Sequence, residues 1–215
     1  MIRLVAVLVA LASPAASQSF CLCLKCATGL FRSYVAPAGS MKPTILTGQC
    51  FIARLDFETA DLTQGTIVTF RRPTDGNEWV KRIVATERQT VQMIDGRLVI
   101  DGRPVRVEED GIFVETFEPQ GPAGKWPRCA NGVVPEGPDC IKTRAMETLG
   151  DVSYGILDVG SFPLDNTGIF TVPEGHLFLL GDNRDNSDDS RLRRVAGGLG
   201  FIPVANVTGI VDEIR

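Results

Sequence analysis

After residue 35 the sequence is dominated by short apolar stretches bounded by turn residues. The stretches 49–55, 66–70, 79–85 and 176–180 are rich in β-branched or aromatic residues, and Gly, Pro, Asp or Asn flank them. Such runs are typical of β-strands. No later segment keeps a helical spacing of apolar residues over three turns. We therefore expect an all-β protein, mostly antiparallel, with little helix.

Two Asp-Gly dipeptides indicate the tight turns of a β-meander. Asp95-Gly96 and Asp101-Gly102 flank the stretch 97–100, and Asp-Gly is a strong hairpin signal. They belong to a segment, 86–172, whose character differs from its flanks, since hairpin signals give way to a stretch dense in Gly and Pro at 119–138. We predict an inserted β-rich subdomain over 86–172 and a core built from 36–85 and 173–215.

The first residues have the order of an export signal. A basic start is followed by an apolar run from Leu4 to Ala12, and small residues continue to Ser17. Cleavage after Ser17 would leave 18–35 as an N-terminal linker. A retained membrane anchor that begins in 1–17 and continues to residue 31 is the alternative, although the apolar run is shorter than the about twenty residues that span a bilayer. Both interpretations place the rest of the chain outside the cytoplasm.

Charge and cysteine content narrow the function classes. The net charge is −4 with no block of like charges, so no nucleic-acid partner is expected. Six cysteines fit an oxidising compartment. A metal site is disfavoured because the cluster near residue 21 lacks a nearby histidine and the paired Cys-x-x-Cys spacing of zinc sites. A local disulfide between Cys129 and Cys140 is the economical assignment, whereas the sequence leaves open the pairing of Cys21, Cys23, Cys26 and Cys50.

Ser40 is the candidate nucleophile, and it needs a base. It lies in a turn between Ala38-Gly39 and Met41-Lys42-Pro43, where glycine permits a tight backbone and proline stiffens the exit. A serine hydroxyl attacks poorly until a base takes its proton. The one histidine, His176, opens an apolar strand, where a surface position is the ordinary interpretation. Lysine is the remaining common base.

Lys81 is the candidate base. Strand alternation places it on the same face as Trp79 and Ile83. Burial there would disfavour the ammonium form and lower the lysine pKa. A pKa lowered from about 10.4 to about 8 corresponds to roughly 3 kcal/mol of differential stabilisation. The ordinary alternative is a strand lysine that extends its amine to solvent.

A polar loop over 181–191 follows the last of these strands. Acidic and hydroxyl side chains at alternate positions resemble the start of a calcium loop, but the glycine and the terminal glutamate of such loops are missing. A hydrogen-bonding loop that fixes a neighbouring cation and a lysine amine is the better interpretation. We expect no metal and no cofactor.

Three segments together resemble the bacterial type I signal peptidases, serine endopeptidases of the S26 family with a Ser-Lys dyad. They are Gly-Ser-Met-x-Pro-Thr at 39–44, Lys-Arg at 81–82, and Gly-Asp-Asn-Arg-Asp-Asn-Ser-x-Asp-Ser-Arg at 181–191, with Gly-Phe-Ile-Pro at 200–203. The resemblance covers 36–85 and 173–215. It implies a catalytic core of coiled antiparallel sheets, similar to that of self-cleaving repressors, with an inserted β-rich subdomain.

The resemblance also implies roles for individual residues. Ser40 would attack the scissile carbonyl, neutral Lys81 would be the general base, and Ser187 would hydrogen-bond the lysine amine. The Ser40 N–H would hold the oxyanion, but a hydroxyl that some family members carry two residues earlier is missing because this position is Ala38. Structural ion pairs would join Arg82 to Asp182 and Asp189 to Arg191. The residues lining the substrate pocket would be Pro37, Ala38, Met41, Ile45, Trp79 and Val80.

The implied activity is the removal of signal peptides from exported proteins at small-x-small sites. It would take place at the outer, periplasmic face of the cytoplasmic membrane, or in the periplasm if the leader is cleaved, with the membrane surface as a partner. A dedicated processing peptidase for one pilin-like or conjugation substrate is the nearest alternative. A non-catalytic β domain that binds extended peptides is disfavoured because both Ser40 and Lys81 are present.

Overall fold

A computed structural model describes residues 21–215, so the predicted export signal at 1–17 lies outside the described residues. In this part of the chain we find 14 β-strands and six short 3-10 turns, and no α-helix. None of its helices is long and apolar enough to cross a membrane. The strands are β1 (Phe31–Val35), β2 (Cys50–Arg54), β3 (Ile67–Arg71), β4 (Glu78–Ala85), β5 (Thr90–Ile94), β6 (Arg97–Ile100), β7 (Arg103–Pro104), β8 (Arg106–Thr116), β9 (Asp139–Leu149), β10 (Val152–Asp158), β11 (Phe170–Thr171), β12 (His176–Leu180), β13 (Ile202–Pro203) and β14 (Val207–Ile214).

The largest sheet carries the chemistry-bearing segments. Its seven strands follow the order β1-β2-β14-β3-β4-β12-β13 and pair antiparallel. Lys81 of β4 stands opposite Val68 of β3, and Arg82 stands opposite Leu180 of β12. β12 leads directly into the polar loop at 181–191. This sheet therefore brings the two ends of the predicted core together.

Two smaller antiparallel sheets come from the middle of the chain. One has the order β10-β9-β8 and the other the order β11-β5-β6-β7. The two Asp-Gly turns of the meander have positive φ at both residues, with 49° and 74° at Asp95-Gly96 and 50° and 72° at Asp101-Gly102. This is the backbone that tight hairpins require. The prediction of a mostly antiparallel all-β protein is confirmed.

One apolar core joins the large sheet to the strands of the middle segment. Val84, Phe178 and Leu180 of the large sheet pack in the same buried cluster as Met93 and Leu98 of the meander. The segment 86–172 therefore folds against the large sheet rather than standing apart from it. The division into core and insert stays a prediction.

The N-terminal part of the described chain is structured and disulfide-linked. β1 lies inside the segment assigned to a linker, and it pairs with β2, whose edge would otherwise expose unpaired backbone groups. The three disulfides are Cys21–Cys50, Cys23–Cys26 and Cys129–Cys140. The first of them ties the chain before β1 to the start of β2.

Candidate active site

The Ser40 hydroxyl is presented by a short 3-10 turn, Gly39–Met41, between β1 and β2. Gly39 and Met41 are buried, whereas Ser40 is half-buried. Met41 fills a small core cluster with Ile45 and Phe51. Apolar packing of Met41 therefore fixes the turn, while the hydroxyl of Ser40 stays accessible to solvent.

Lys81 reaches this hydroxyl from β4. Its Nζ lies 2.7 Å from the Ser40 Oγ and 3.2 Å from the Val80 carbonyl oxygen. The side chain is buried, with 2% of the residue exposed. Burial lowers the pKa of Lys81 from 10.5 to about 8, although Asp189 and other nearby aspartates oppose that shift. A neutral amine beside a serine hydroxyl is therefore accessible at mildly alkaline pH.

Arg82, the next residue, points into a buried ion pair. Its guanidinium donates two hydrogen bonds to Asp182, at 2.8 and 2.7 Å, and one to the Gly65 carbonyl at 2.6 Å. Thr44, four residues after the serine, also donates to Asp182 at 2.5 Å. The guanidinium lies 3.7 Å from the centre of the Tyr154 ring. Asp182 therefore links the base strand to the segment that follows the nucleophile.

Asp189 and Arg191 form a second buried ion pair, with Nε–Oδ1 and Nη2–Oδ2 distances of 2.9 Å. Neither side chain is exposed. Asp189 also accepts a hydrogen bond from the Gly181 N–H at 3.3 Å, and Arg191 donates to the Arg184 carbonyl. This pair closes the polar loop on itself behind the lysine.

The expected contact of Ser187 with the lysine amine is not formed in the structure. Its hydroxyl is buried and has no hydrogen-bond partner among residues 21–215. It lies over Gly181, where a Cβ atom would come within 2.2 Å of the Ser187 Oγ and 2.6 Å of the Ser40 carbonyl oxygen. The amine is directed instead to Ser40 and to its own strand. Only a glycine at 181 leaves room for both serines.

The six residues predicted to line a substrate pocket differ in exposure. Pro37 and Ala38 are exposed, and Trp79 and Val80 are half-buried. Met41 and Ile45, with 1% and 0% exposed, do not reach the surface because they fill the cluster under the 3-10 turn. These two residues therefore pack under the nucleophile turn.

His176 and Asp185 both form hydrogen bonds with backbone groups. The His176 ring lies at the start of β12 and contacts the Glu174 carbonyl oxygen through Nδ1 at 2.8 Å. Asp185 of the loop accepts a hydrogen bond from the Val159 N–H at 2.9 Å. Within the described chain no group of three or more His, Cys, Asp or Glu side chains is placed to hold a metal ion.

Two buried networks near the site were missed in the sequence. Glu147 of β9 is fully buried and binds both Arg184 of the polar loop and the Tyr154 hydroxyl, the latter at 2.5 Å. Glu115 of β8 lies between two buried lysines, Lys42 beside the nucleophile and Lys142 of β9. Alternation within β8 and β9 gives no hint of these ion pairs, because Arg184 and Lys42 lie far away in the sequence from the carboxylates that they bind.

A serine hydroxyl beside a buried lysine amine, on an antiparallel β scaffold, is the arrangement of serine hydrolases that use lysine as base. The family model of "Signal peptidase, peptidase S26" matches residues 8–214. The chain belongs to this family, and it is a serine peptidase that removes signal peptides.

Individual relatives are similar over most of the chain. The signal peptidase I of Rickettsia typhi is 28% identical, over 90% of this chain and 76% of that protein. The signal peptidase I of Aquifex aeolicus is 26% identical, over 83% of this chain and 73% of that protein. The crystal structure of a signal peptidase I from Enterococcus faecalis is 23% identical and covers 70% of this chain and 96% of that one, with a TM-score of 0.37.

Proposed function

We propose that this signal peptidase cleaves its substrates with Ser40 as the nucleophile and Lys81 as the general base. The observation that carries the proposal is the 2.7 Å distance between the Lys81 Nζ and the Ser40 Oγ. The lysine is buried, and its pKa is lowered to about 8. A base works best when its pKa is close to the working pH.

The proposed reaction has two steps. The neutral Lys81 amine takes the hydroxyl proton while the Ser40 Oγ attacks the scissile carbonyl carbon, and the carbonyl oxygen becomes an oxyanion held by the Ser40 N–H. The tetrahedral intermediate collapses when the ammonium returns the proton to the leaving amine, the new N-terminus of the mature protein. Lysine then activates a water, which hydrolyses the ester and frees Ser40.

The number of hydrogen bonds that the Lys81 amine can form supports a base-orienting role for Ser187. A neutral lysine amine has one lone pair and two N–H donors. When the lone pair accepts the Ser40 proton, one N–H is directed to the Val80 carbonyl, at 3.2 Å, and the other needs an acceptor. The buried Ser187 hydroxyl lacks a partner in the described region and is available for it. The Arg82–Asp182 and Asp189–Arg191 pairs would keep the surrounding backbone fixed.

The substrates we propose are preproteins with small residues at the first and third positions before the cut. Such a segment would bind as an extended strand, against the exposed Pro37 and Ala38 and the half-buried Trp79 and Val80. Met41 and Ile45 would form the packed support below. We place the reaction at the outer face of the cytoplasmic membrane, or in the periplasm if the leader is removed, with 86–172 as an inserted subdomain.

The test is cleavage of a synthetic preprotein peptide with alanine at both small positions. Ser40→Ala and Lys81→Met should each lower kcat/KM at least about 10³-fold, as loss of a nucleophile or base does elsewhere. Ser153→Ala, which removes an exposed hydroxyl bonded to Thr148, and Lys125→Met are matched controls that should keep the activity. Near-normal cleavage by either site variant would refute the assignment. Cleavage of one preprotein out of a varied panel would instead favour a dedicated processing enzyme.

A further inference from the structure

One residue of the polar loop holds the peptide groups on both sides of Ser40. The Asn183 Nδ2 donates a hydrogen bond to the Gly39 carbonyl oxygen at 2.8 Å. The backbone N–H of Asn183 donates to the Ser40 carbonyl oxygen at 3.1 Å. Asn183 is fully buried. The nucleophile turn is therefore fixed from one side by a single asparagine.

The bond to Gly39 determines where the Ser40 N–H points. In a trans peptide the C=O and N–H groups point in opposite directions, and the cis peptide of the described chain lies elsewhere, before Pro43. Because the Gly39 carbonyl is directed at Asn183, the Ser40 N–H is directed away from it. Among residues 21–215 this N–H donates no hydrogen bond. It is a free donor aimed out of the turn.

The Ser40 N–H is especially important for holding the oxyanion in this protein. Ala38 has no hydroxyl that could help to hold an oxyanion, so the Ser40 N–H is the one donor identified for it. Donors of this kind act through being fixed in advance towards the oxygen that becomes charged. The Gly39 carbonyl oxygen also accepts a hydrogen bond from the Lys42 N–H of the same turn at 3.2 Å. Asn183 supplies the shorter of these two bonds, and without it the Gly39–Ser40 peptide would be held by the longer bond alone.

The amide of Asn183 can hold the turn in one orientation. With Nδ2 towards the Gly39 carbonyl, its Oδ1 is buried and lacks a hydrogen-bond partner in the described chain. The flipped amide would place two oxygens against each other. A buried amide oxygen without a partner costs stability, which is the kind of local cost that a functional site tolerates.

Asn183 is itself held on the side away from Ser40. It forms a bridge with Leu157 of β10, and the Leu157 N–H donates to the Asp182 carbonyl at 2.9 Å. Asp182, directly before it, is paired with Arg82 of the base strand. The dipeptide Asp182-Asn183 thus contacts both the strand that carries Lys81 and the turn that carries Ser40.

We infer that Asn183 is the positioning residue of the oxyanion hole: it holds the Gly39 carbonyl so that the Ser40 N–H faces the oxygen of the scissile carbonyl. This role rests on the proposed function of Ser40 as the nucleophile. Asn183 touches neither the substrate nor the reacting atoms and acts through the Gly39–Ser40 peptide.

The experiment compares Asn183→Ala and the isosteric Asn183→Asp with wild-type protein. Asn206→Ala is the matched control, because it removes another amide-to-carbonyl hydrogen bond of 2.8 Å, to Arg71, at an exposed position. The readouts are kcat, KM and the affinity for two inhibitors. One is a substrate-derived peptide aldehyde, which adds to Ser40 and forms the tetrahedral oxygen, and the other is the matching peptide alcohol, which does not.

We expect kcat of both Asn183 variants to fall on the order of 10²-fold while KM stays within about threefold. Aldehyde affinity should fall by the same factor as kcat, and alcohol affinity should stay unchanged. Equal losses for aldehyde and alcohol, or a kcat within about threefold of wild type, would overturn the inference. Activity that disappears in Ser40→Ala but survives in Asn183→Ala would refute the positioning role alone, whereas activity that survives in Ser40→Ala would refute the nucleophile.

A measurement on wild-type protein covers the case in which neither variant folds. The Ser40 amide resonance of ¹⁵N-labelled protein should move when the aldehyde binds and should stay in place with the alcohol. An amide signal that responds equally to both inhibitors would contradict an oxyanion contact through this N–H.

Discussion

Replacing Lys81 by methionine tests the lowered lysine pKa through a property that does not depend on catalysis. The pKa of Lys81 is about 8 in the folded protein, against 10.5 for an unperturbed lysine. The unfolded chain therefore binds the proton more tightly, and stability is lost as the pH falls from 10.5 towards 8. The full difference corresponds to about 3 kcal/mol at neutral pH. Methionine has a similar length and carries no charge, so the variant lacks this dependence.

The free energy of unfolding in urea gives the magnitude directly. With these two pKa values, the penalty from Lys81 is about 3 kcal/mol at pH 7 and about 1 kcal/mol at pH 9.5. The stability difference between wild type and Lys81→Met should thus shift by about 2 kcal/mol in favour of wild type between these pH values. Ser40→Ala keeps the buried lysine and should show the same shift relative to Lys81→Met.

The same titration should appear in the activity. The kcat/KM of the wild-type protein should rise about tenfold per pH unit in acid solution and reach half its maximum near pH 8, because the free enzyme needs neutral Lys81. A stability difference that stays constant from pH 7 to pH 9.5, together with an activity profile flat through pH 8, would show that the lysine is not shifted. The reasoning from burial would then be refuted.

Three further variants, one of them a double variant, test other parts of the structure. Ala38→Ser places a hydroxyl next to the proposed oxyanion and should raise kcat, measured by steady-state kinetics, about tenfold. An unchanged kcat would contradict the idea that the oxyanion lacks a second hydrogen-bond donor. Glu115→Gln leaves two buried lysines without a carboxylate and should lower the free energy of unfolding in urea by about 3–5 kcal/mol. The control Glu108→Gln, in an exposed ion pair, should lower it by less than about 1 kcal/mol. Equal losses in the two variants would contradict the cost of leaving a buried charge unpaired. The double variant Cys129→Ala/Cys140→Ala should lose about 2–3 kcal/mol by the same measurement, and unchanged stability would contradict a closed loop.

Local signals were enough to predict the strands and turns, and the family resemblance implied the proximity of the main site residues. The stretch 79–85 became β4, and both Asp-Gly turns have the positive φ values that hairpins need. The segments at 81–82 and 181–191 meet because β4 and β12 pair in one sheet. The segment 39–44 joins them through the hydrogen bonds of Ser40 with Lys81 and Asn183. The strands and turns depend on the residue types within a few positions of one another.

The parts that escaped prediction depend on packing between distant segments. The burial of Met41 and Ile45 follows from the position of Phe51 on the next strand. The contact of Glu147 with Arg184 joins residues 37 positions apart, and neither strand alternation nor composition carries information about it. The sequence also could not predict whether the Ser187 hydroxyl bonds the Lys81 amine, because that amine has several oxygen atoms within reach and bonds Ser40 and Val80.

The two arginine–aspartate pairs have a part in the lysine chemistry beyond holding the fold. Burial lowers the pKa of Lys81, while Asp189, Asp188 and Asp182 raise it and Arg191 lowers it. A buried amine surrounded by unpaired carboxylates would stay protonated and be useless as a base. Pairing Asp182 with Arg82 and Asp189 with Arg191 offsets two of those negative charges next to the lysine. The acidic loop can therefore lie next to Lys81 without raising its pKa so far that the neutral amine needed for the proposed reaction is lost.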